Sequence, residues 1–350
     1  MHYRSVADLN DDIISGLPLL PPDVDLVIGI PRSGLLAGTL LALALNVPAT
    51  DVEGFLAGRI LSTGRTRRRE LFDSDPRRAR RVLVVDDSAD TGQSVRDARA
   101  RLTSEHPGVA FSFCVVYGTA PECDGVDITL KVVPQPRLFQ WNVMHHNMLA
   151  RCCVDIDGVL CSDPSDDEND DGERYLKFLL NAPPFHTPTR RIGWLVTSRL
   201  EKYRKETEAW LAKRGIEYGE LHMLDLPSRE ARLKAGSHGS FKAEVYSRTT
   251  GALLFIESER EQAREICRLA GKPVLSLGSQ ELFTPEPLSP LALAQRVRTL
   301  PARYRAEPGS PTSLARQVVG SALRSTVSPK VYDALRTLSR RGQARPGGRA

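Results

Sequence analysis

Residues 81–95 read RVLVVDDSADTGQSV, and the rest of the chain is organised around them. Val82, Leu83, Val84 and Val85 have the length and β-branched content of a strand buried on both faces. Two adjacent carboxylates, Asp86 and Asp87, close it. Small and hydroxylated residues then lead into a helical pattern. In an open parallel sheet, ligands bind beyond the carboxyl ends of the strands. A turn entering a helix there presents free backbone N–H groups and the positive end of a dipole, which suits a phosphate. Paired acids would repel a phosphate alone. They fit a ligand that also carries hydroxyls or a divalent cation.

The order of apolar strand, two acids, three residues and then Thr91-Gly92-Gln93-Ser94 resembles the phosphoribosyl pyrophosphate (PRPP)-binding loop of type I phosphoribosyltransferases. DDSADTGQS is nearest to the purine-type members. The resemblance implies that Asp86 and Asp87 hold the ribose hydroxyls. Ser88, Ala89, Asp90, Thr91, Gly92, Gln93 and Ser94 would then wrap the 5′-phosphate, with Asp90 a catalytic acid near the base. A surface strand ending in an acidic turn is the alternative, and it leaves the agreement of so many positions unexplained.

Upstream, the short apolar stretch 26–30 runs into Pro31-Arg32-Ser33-Gly34 and an apolar helical pattern ending at Leu45. In the resembled family this turn binds pyrophosphate, a role that suits the Arg32 guanidinium and the N–H groups of Ser33 and Gly34. Residues 57–81 contain nine arginines and read as a solvated loop. The family has a mobile loop here that closes over PRPP and keeps water from an oxocarbenium-like transition state. One of the arginines between 65 and 69 would meet the pyrophosphate. Residues 137–142, RLFQWN, offer Phe139 and Trp141 for stacking on the base, with core packing of both rings the equal alternative.

Residues 148–160, MLARCCVDIDGVL, open a second unit. D-x-D-G-x-L after an apolar strand resembles motif I of the haloacid-dehalogenase-like phosphohydrolases. By that resemblance Asp155 attacks phosphorus and Asp157 serves as acid and base. Asp155, the Asp157 carbonyl and Glu257 would hold Mg2+. IGWLVTSR at 192–199 matches motif II, with Thr197 and Ser198 on phosphate oxygens, and Lys242 is the motif III cation. Motif IV departs from its usual paired aspartates, carrying Glu257 and Glu259 instead. The acidic stretch within 162–191 lacks the alternating ligands and closing glutamate of a calcium loop. It reads as a small mobile cap over the second site or as a solvated surface loop.

A length of 350 residues suggests two domains and an appendage, and 41% hydrophobic with 26% charged residues is an ordinary globular composition. The expected fold class is α/β: two parallel-sheet, Rossmann-like domains. Residues 1–148 would form the phosphoribosyltransferase fold, 149–283 the haloacid-dehalogenase-like fold with its cap, and 284–350 a Pro/Arg-rich, partly disordered extension. Six cysteines without C-x-x-C spacing speak against zinc, and Cys152 and Cys153 read as packing residues. The acids within residues 1–16 do not suit a signal peptide, and the apolar run 35–45 is too short to span a bilayer. A cytoplasmic protein is expected. The basic tail has helical apolar spacing near 314–323 and 331–338, suited to a second copy or an acidic partner. No nucleic-acid module accompanies its charge.

The two resemblances together imply a bifunctional, Mg2+-dependent enzyme. Phosphoribosyl would pass from PRPP to a purine-like or other nitrogen heterocycle with release of pyrophosphate. A phosphate monoester, the nucleotide 5′-phosphate first among candidates, would then be hydrolysed. A PRPP- or nucleotide-sensing regulator, and a phosphatase whose first domain only delivers substrate, are the rival readings.

Overall fold

Each β-branched apolar stretch becomes a strand in the computed structural model, which describes residues 1–61, 75–235 and 238–285. In the first half the order is β1 (His2–Arg4), α1 (Val6–Gly16), β2 (Leu26–Gly29), α2 (Gly34–Leu45), β3 (Ala49–Asp51) and α3 (Val52–Leu56). There follow β4 (Arg81–Ser88), α4 (Gln93–Glu105), β5 (Ala110–Gly118), β6 (Ile128–Val132) and β7 (Arg137–Phe139). Ser5 starts α1 with a capping box: its Oγ accepts from Asp8 N, and the Asp8 carboxylate accepts from Ser5 N. Five parallel strands lie in the order β3-β2-β4-β5-β6. The chain steps from β2 to β3 on one side, then crosses to β4 on the other. The switch point of the sheet therefore falls between β2 and β4, where the two small-residue turns begin.

Alternation along these strands divides two cores. Val27, Leu83, Val85, Cys114 and Val116 pack with Leu9, Ile13 and Leu41 of α1 and α2. Ile28, Val84 and Val115 pack on the other face with Phe55, Val95 and Leu102 of α3 and α4. β4 stays in register through Asp86↔Val115 and Ser88↔Tyr117, so both acids belong to the strand end rather than to the turn beyond it.

The second half runs β8 (Cys152–Val154), α5 (Glu173–Asn181), β9 (Ile192–Leu200), α6 (Arg204–Lys213), β10 (Tyr218–Leu224) and α7 (Arg229–Ala235). It continues with α8 (His238–Arg248), β11 (Leu254–Glu257), α9 (Arg260–Ala270), β12 (Val274–Ser276) and β13 (Glu281–Phe283). Its sheet order is β10-β9-β8-β11-β12-β13, with only β13 antiparallel among these. The chain again leaves its first strand in one direction and returns on the other side, placing a switch point between β8 and β11. Asp155 follows β8, and Glu257 closes β11.

Strand β7 and the segment after it do not stand apart from the second half: Leu138, Val143, Met144 and Leu149, with Tyr3 of β1, pack into the core of the second sheet. The Tyr3 hydroxyl also bonds Gln280 Oε1. Residues 1–285 accordingly cluster as one unit. Nor is the insertion between β8 and β9 a mobile cap throughout. Tyr175, Phe178 and Leu179 of α5 are buried against α6, and Trp210 Nε1 donates to Ala182 O at 2.9 Å. The arginines between 65 and 69 and the extension beyond 285, with its two helical patterns, lie outside the described residues.

Candidate functional sites

At the first switch point, Gly34 opens α2 against the end of β4. A Cβ there would lie 2.8 Å from Val85 O and 2.9 Å from Asp86 Oδ1, so the approach requires glycine. Ser33 Oγ donates to Asp87 Oδ1 at 2.6 Å, and Trp141 Nε1 donates to Asp87 Oδ2 at 2.8 Å. Ser88 Oγ is 3.3 Å from the same Oδ2. The turn after β2, the end of β4 and the segment after β7 thus converge on one carboxylate. Asp86 accepts from Asp87 N at 2.9 Å. Burial, and the Asp87 charge beside it, push its carboxyl up to about 8.

The following loop is held from beneath. Arg137 is buried and donates to Ala89 O at 2.6 Å, Tyr117 O at 3.2 Å and Val133 O at 3.3 Å. Ala89 N bonds Tyr117 O, so both backbone groups of Ala89 are fixed. Asp90 is exposed and accepts from Gln135 Nε2 at 3.1 Å. Gly92 takes φ 72° before α4, where a Cβ would meet Asp124 O at 2.5 Å. Thr91 and Ser94 are exposed, whereas the Gln93 side chain is bound to Asp97 and Arg96. Arg32 is exposed at the mouth of the turn.

Sequence reasoning missed Arg137 and Gln135. Their signal was weak, being only a polar residue on either side of Pro136 ahead of a strand. Phe139 takes the second of its two expected roles, core packing. That ring is 4% exposed and nearly parallel to Tyr117 and Trp141, with centroids 5.2 and 4.9 Å away. Its packing leaves no face for a base. Trp141, half-buried, is the remaining aromatic candidate.

At the second switch point three buried charges meet. Lys242 Nζ donates to Asp155 Oδ2 at 2.6 Å, Glu257 Oε2 at 2.8 Å and Gln262 Oε1 at 3.2 Å. Glu257 also accepts from Ser258 N at 2.9 Å. Burial pulls the Lys242 ammonium down, but the carboxylates of Asp155 and Glu257 outweigh it and hold the group charged. Burial pushes the Asp155 carboxyl up, the Lys242 ammonium beside it opposes that rise, and Glu257 adds to it. Thr197 is fully buried and its Oγ1 accepts from Arg199 N at 3.2 Å. Ser198 Oγ is buried without a partner.

Asp157 is turned elsewhere. Arg199, 1% exposed, donates Nε to Asp157 Oδ2 at 3.0 Å and Nη2 to Oδ1 at 2.6 Å. Of the groups expected to hold Mg2+, the Asp155 and Glu257 carboxylates both face Lys242, while the Asp157 side chain, whose carbonyl was the third, faces Arg199. Among the described residues no three acids, histidines or cysteines converge to hold a cation. In this arrangement Lys242 compensates the two carboxylates. A charged residue inside the apolar run of β9 was the one sequence signal for this pairing.

No protein-family model matches the chain, and no curated protein matches it. Solved structures similar to part of it include a xanthine-guanine-hypoxanthine phosphoribosyltransferase of Helicobacter pylori, at 16% identity over 41% of this chain and 92% of that one, TM-score 0.28. A purine phosphoribosyltransferase from Pyrococcus horikoshii matches at 21% identity over 40% and 92%, TM-score 0.29. An orotate phosphoribosyltransferase from Aeropyrum pernix matches at 22% over 36% and 69%, TM-score 0.25. No helix among the described residues is long and apolar enough to cross a membrane.

Proposed function

We propose that the first half transfers a phosphoribosyl group from PRPP to a ring nitrogen of a purine-like or other heterocycle. The observation that carries this reading is Asp87, held at both oxygens by Ser33 and Trp141 at the switch point of the sheet. Each carboxylate oxygen accepts more than one hydrogen bond, so Asp87 can still take ribose hydroxyls. The 5′-phosphate lies against the loop at 88–94, ahead of α4, and the pyrophosphate against Arg32, Ser33 and Gly34. The bond from C1′ to pyrophosphate breaks, the bond to the ring nitrogen forms, and the proton of that nitrogen passes to Asp90. Asp87 places negative charge beside the positive sugar ring as it develops. Asp90, steadied by Gln135, faces the acceptor.

The second half is read as a phosphoryl-binding site built on Asp155, Thr197 and Lys242. The Arg199–Asp157 pair favours holding a phosphoryl group over hydrolysing it in this arrangement. Hydrolysis would require Asp157 to leave Arg199.

Purified full-length protein incubated with PRPP, Mg2+ and a panel of heterocycles tests the first half through pyrophosphate release. Release with one acceptor class supports transfer. PRPP binding without release would replace the transferase reading by the sensor reading, and absence of both would remove PRPP altogether. Phosphate release from nucleoside monophosphates, compared between wild type and Asp155→Asn, decides the second half.

A further inference from the structure

Arg232 is 8% exposed, yet no carboxylate of the described residues lies within ion-pair distance of it. Its Nη1 donates to Ser198 O at 3.2 Å, and Nη2 reaches Asn169 Oδ1 only at 3.5 Å. Nε is buried with no partner, and so is the hydroxyl of Ser198, itself 8% exposed. The other buried cations of this half are compensated: Arg199 by Asp157, Lys242 by Asp155 and Glu257. Burying a guanidinium with neither counter-ion nor complete hydrogen bonding is costly, and the cost is recovered when an anion arrives. The Nε that Arg199 turns on Asp157 is the donor that Arg232 leaves unpaired, and with the weakly held Nη2 it matches a planar or tetrahedral oxyanion. Burial raises the Tyr175 phenol; the Asp157 charge adds to the rise, while Arg199 and Arg232, the latter also as a hydrogen-bond partner, oppose it.

We propose that Arg232 and Ser198 form an oxyanion subsite next to Thr197, which receives a second phosphate or a carboxylate of the ligand whose phosphoryl group lies at Asp155. The inference rests on the reading of Asp155 and Thr197 as a phosphoryl site. It makes the second half selective for ligands with two anionic groups over simple monoesters.

Three non-hydrolysable probes test it by calorimetry on the full chain: methylphosphonate, methylenebisphosphonate and phosphonoacetate. Wild type should bind one of the two-anion probes at least about tenfold more tightly than methylphosphonate. Preference for the bisphosphonate names a second phosphate, and preference for phosphonoacetate names a carboxylate. Arg232→Gln should lose the preference, and Arg232→Lys should keep part of it. Tungstate soaked into crystals of the wild-type chain locates the binding by its anomalous signal, and does so even if Arg232→Gln fails to fold. Density against Arg232 Nε and Ser198 Oγ supports the subsite. Tungstate at Thr197 and Lys242 with none at Arg232, or equal probe affinities in wild type and Arg232→Gln, overturns it while leaving the phosphoryl site standing. Density at Arg232 with none at Thr197 and Lys242 overturns the phosphoryl site instead.

Discussion

Arg199 and Asp157 form a two-point ion pair in which the guanidinium is fully buried and the carboxylate is partly open, at 3.0 and 2.6 Å. Removing one partner of such a pair leaves the other charge without compensation. Arg199→Met is therefore expected to cost about 3–5 kcal/mol, whereas Arg199→Met combined with Asp157→Asn should recover part of the loss. Urea denaturation of the single and double variants measures both. Equal stability of Arg199→Met and wild type would mean that the pair contributes nothing.

The raised carboxyl of Asp86 makes part of the stability depend on pH. Asp86 holds its proton in the folded chain up to about pH 8, while an unfolded aspartate loses it near 3.9. Between those values the folded state binds more protons than the unfolded one. Stability should consequently fall as pH rises from about 4 to 8. Asp86→Asn removes part of that fall and should gain on the order of 2 kcal/mol at pH 8, with little gain at pH 4. Denaturation midpoints across that range check the slope.

Trp141→Phe keeps an aromatic ring beside Phe139 but deletes the donor to Asp87 Oδ2. A lost hydrogen bond to a charged group is worth about 1.5–3 kcal/mol. PRPP turnover should drop roughly tenfold or more while thermal stability changes little. Steady-state kinetics with varied PRPP, set beside a melting curve, separates the two effects.

Gly34→Ala introduces a Cβ 2.8 Å from Val85 O and 2.9 Å from Asp86 Oδ1. Neither the strand carbonyl nor the strand-end aspartate can move far, so the start of α2 must shift. Overpacking of this kind costs about 1–3 kcal/mol. Pyrophosphate release should fall below detection even where the variant folds, because Ser33 moves with the turn. Activity close to wild type would disprove a tight fit between the turn and β4.

Lys242→Met leaves Asp155 and Glu257 facing one another without a cation. Both are buried, so the variant should be destabilised by about 3–5 kcal/mol and should recover stability at low pH, where one carboxyl is neutral. Lys242→Arg retains the charge but not the compact ammonium, and should be intermediate. Melting temperatures at pH 5 and pH 8 distinguish the three proteins.

Local chemistry was legible in the chain as written. The apolar runs at 82–85 and 192–196 and the small residues within 29–34 and 88–94 each favour their own conformation. That is why the strands, the helix starts and the acids at the strand ends could be located by pattern. Asp86, Asp87, Ser33, Gly34, Asp155, Thr197 and Lys242 were all named from sequence. The structure brings them together in two groups. The reason they meet lies in strand order: β2 beside β4, and β8 beside β11. No residue pattern states that order, because pairing partners are chosen by global packing among strands of similar composition.

Tertiary structure also decided which way the charged side chains turn. Asp157 pairs with an arginine 42 positions away, Lys242 with Asp155 across 87, and Trp141 with Asp87 across 54. An aspartate in sequence is only a group that must be compensated when buried. Whether a metal, a lysine, an arginine or a ligand compensates it depends on what the fold brings within about 3 Å. For this chain the sequence by itself determined an α/β protein with phosphate-suited turns and acids at its strand ends. The fold alone determined that Asp87 is held by Ser33 and Trp141, that Asp157 is closed by Arg199, and that Arg232 is buried with its Nε unpaired.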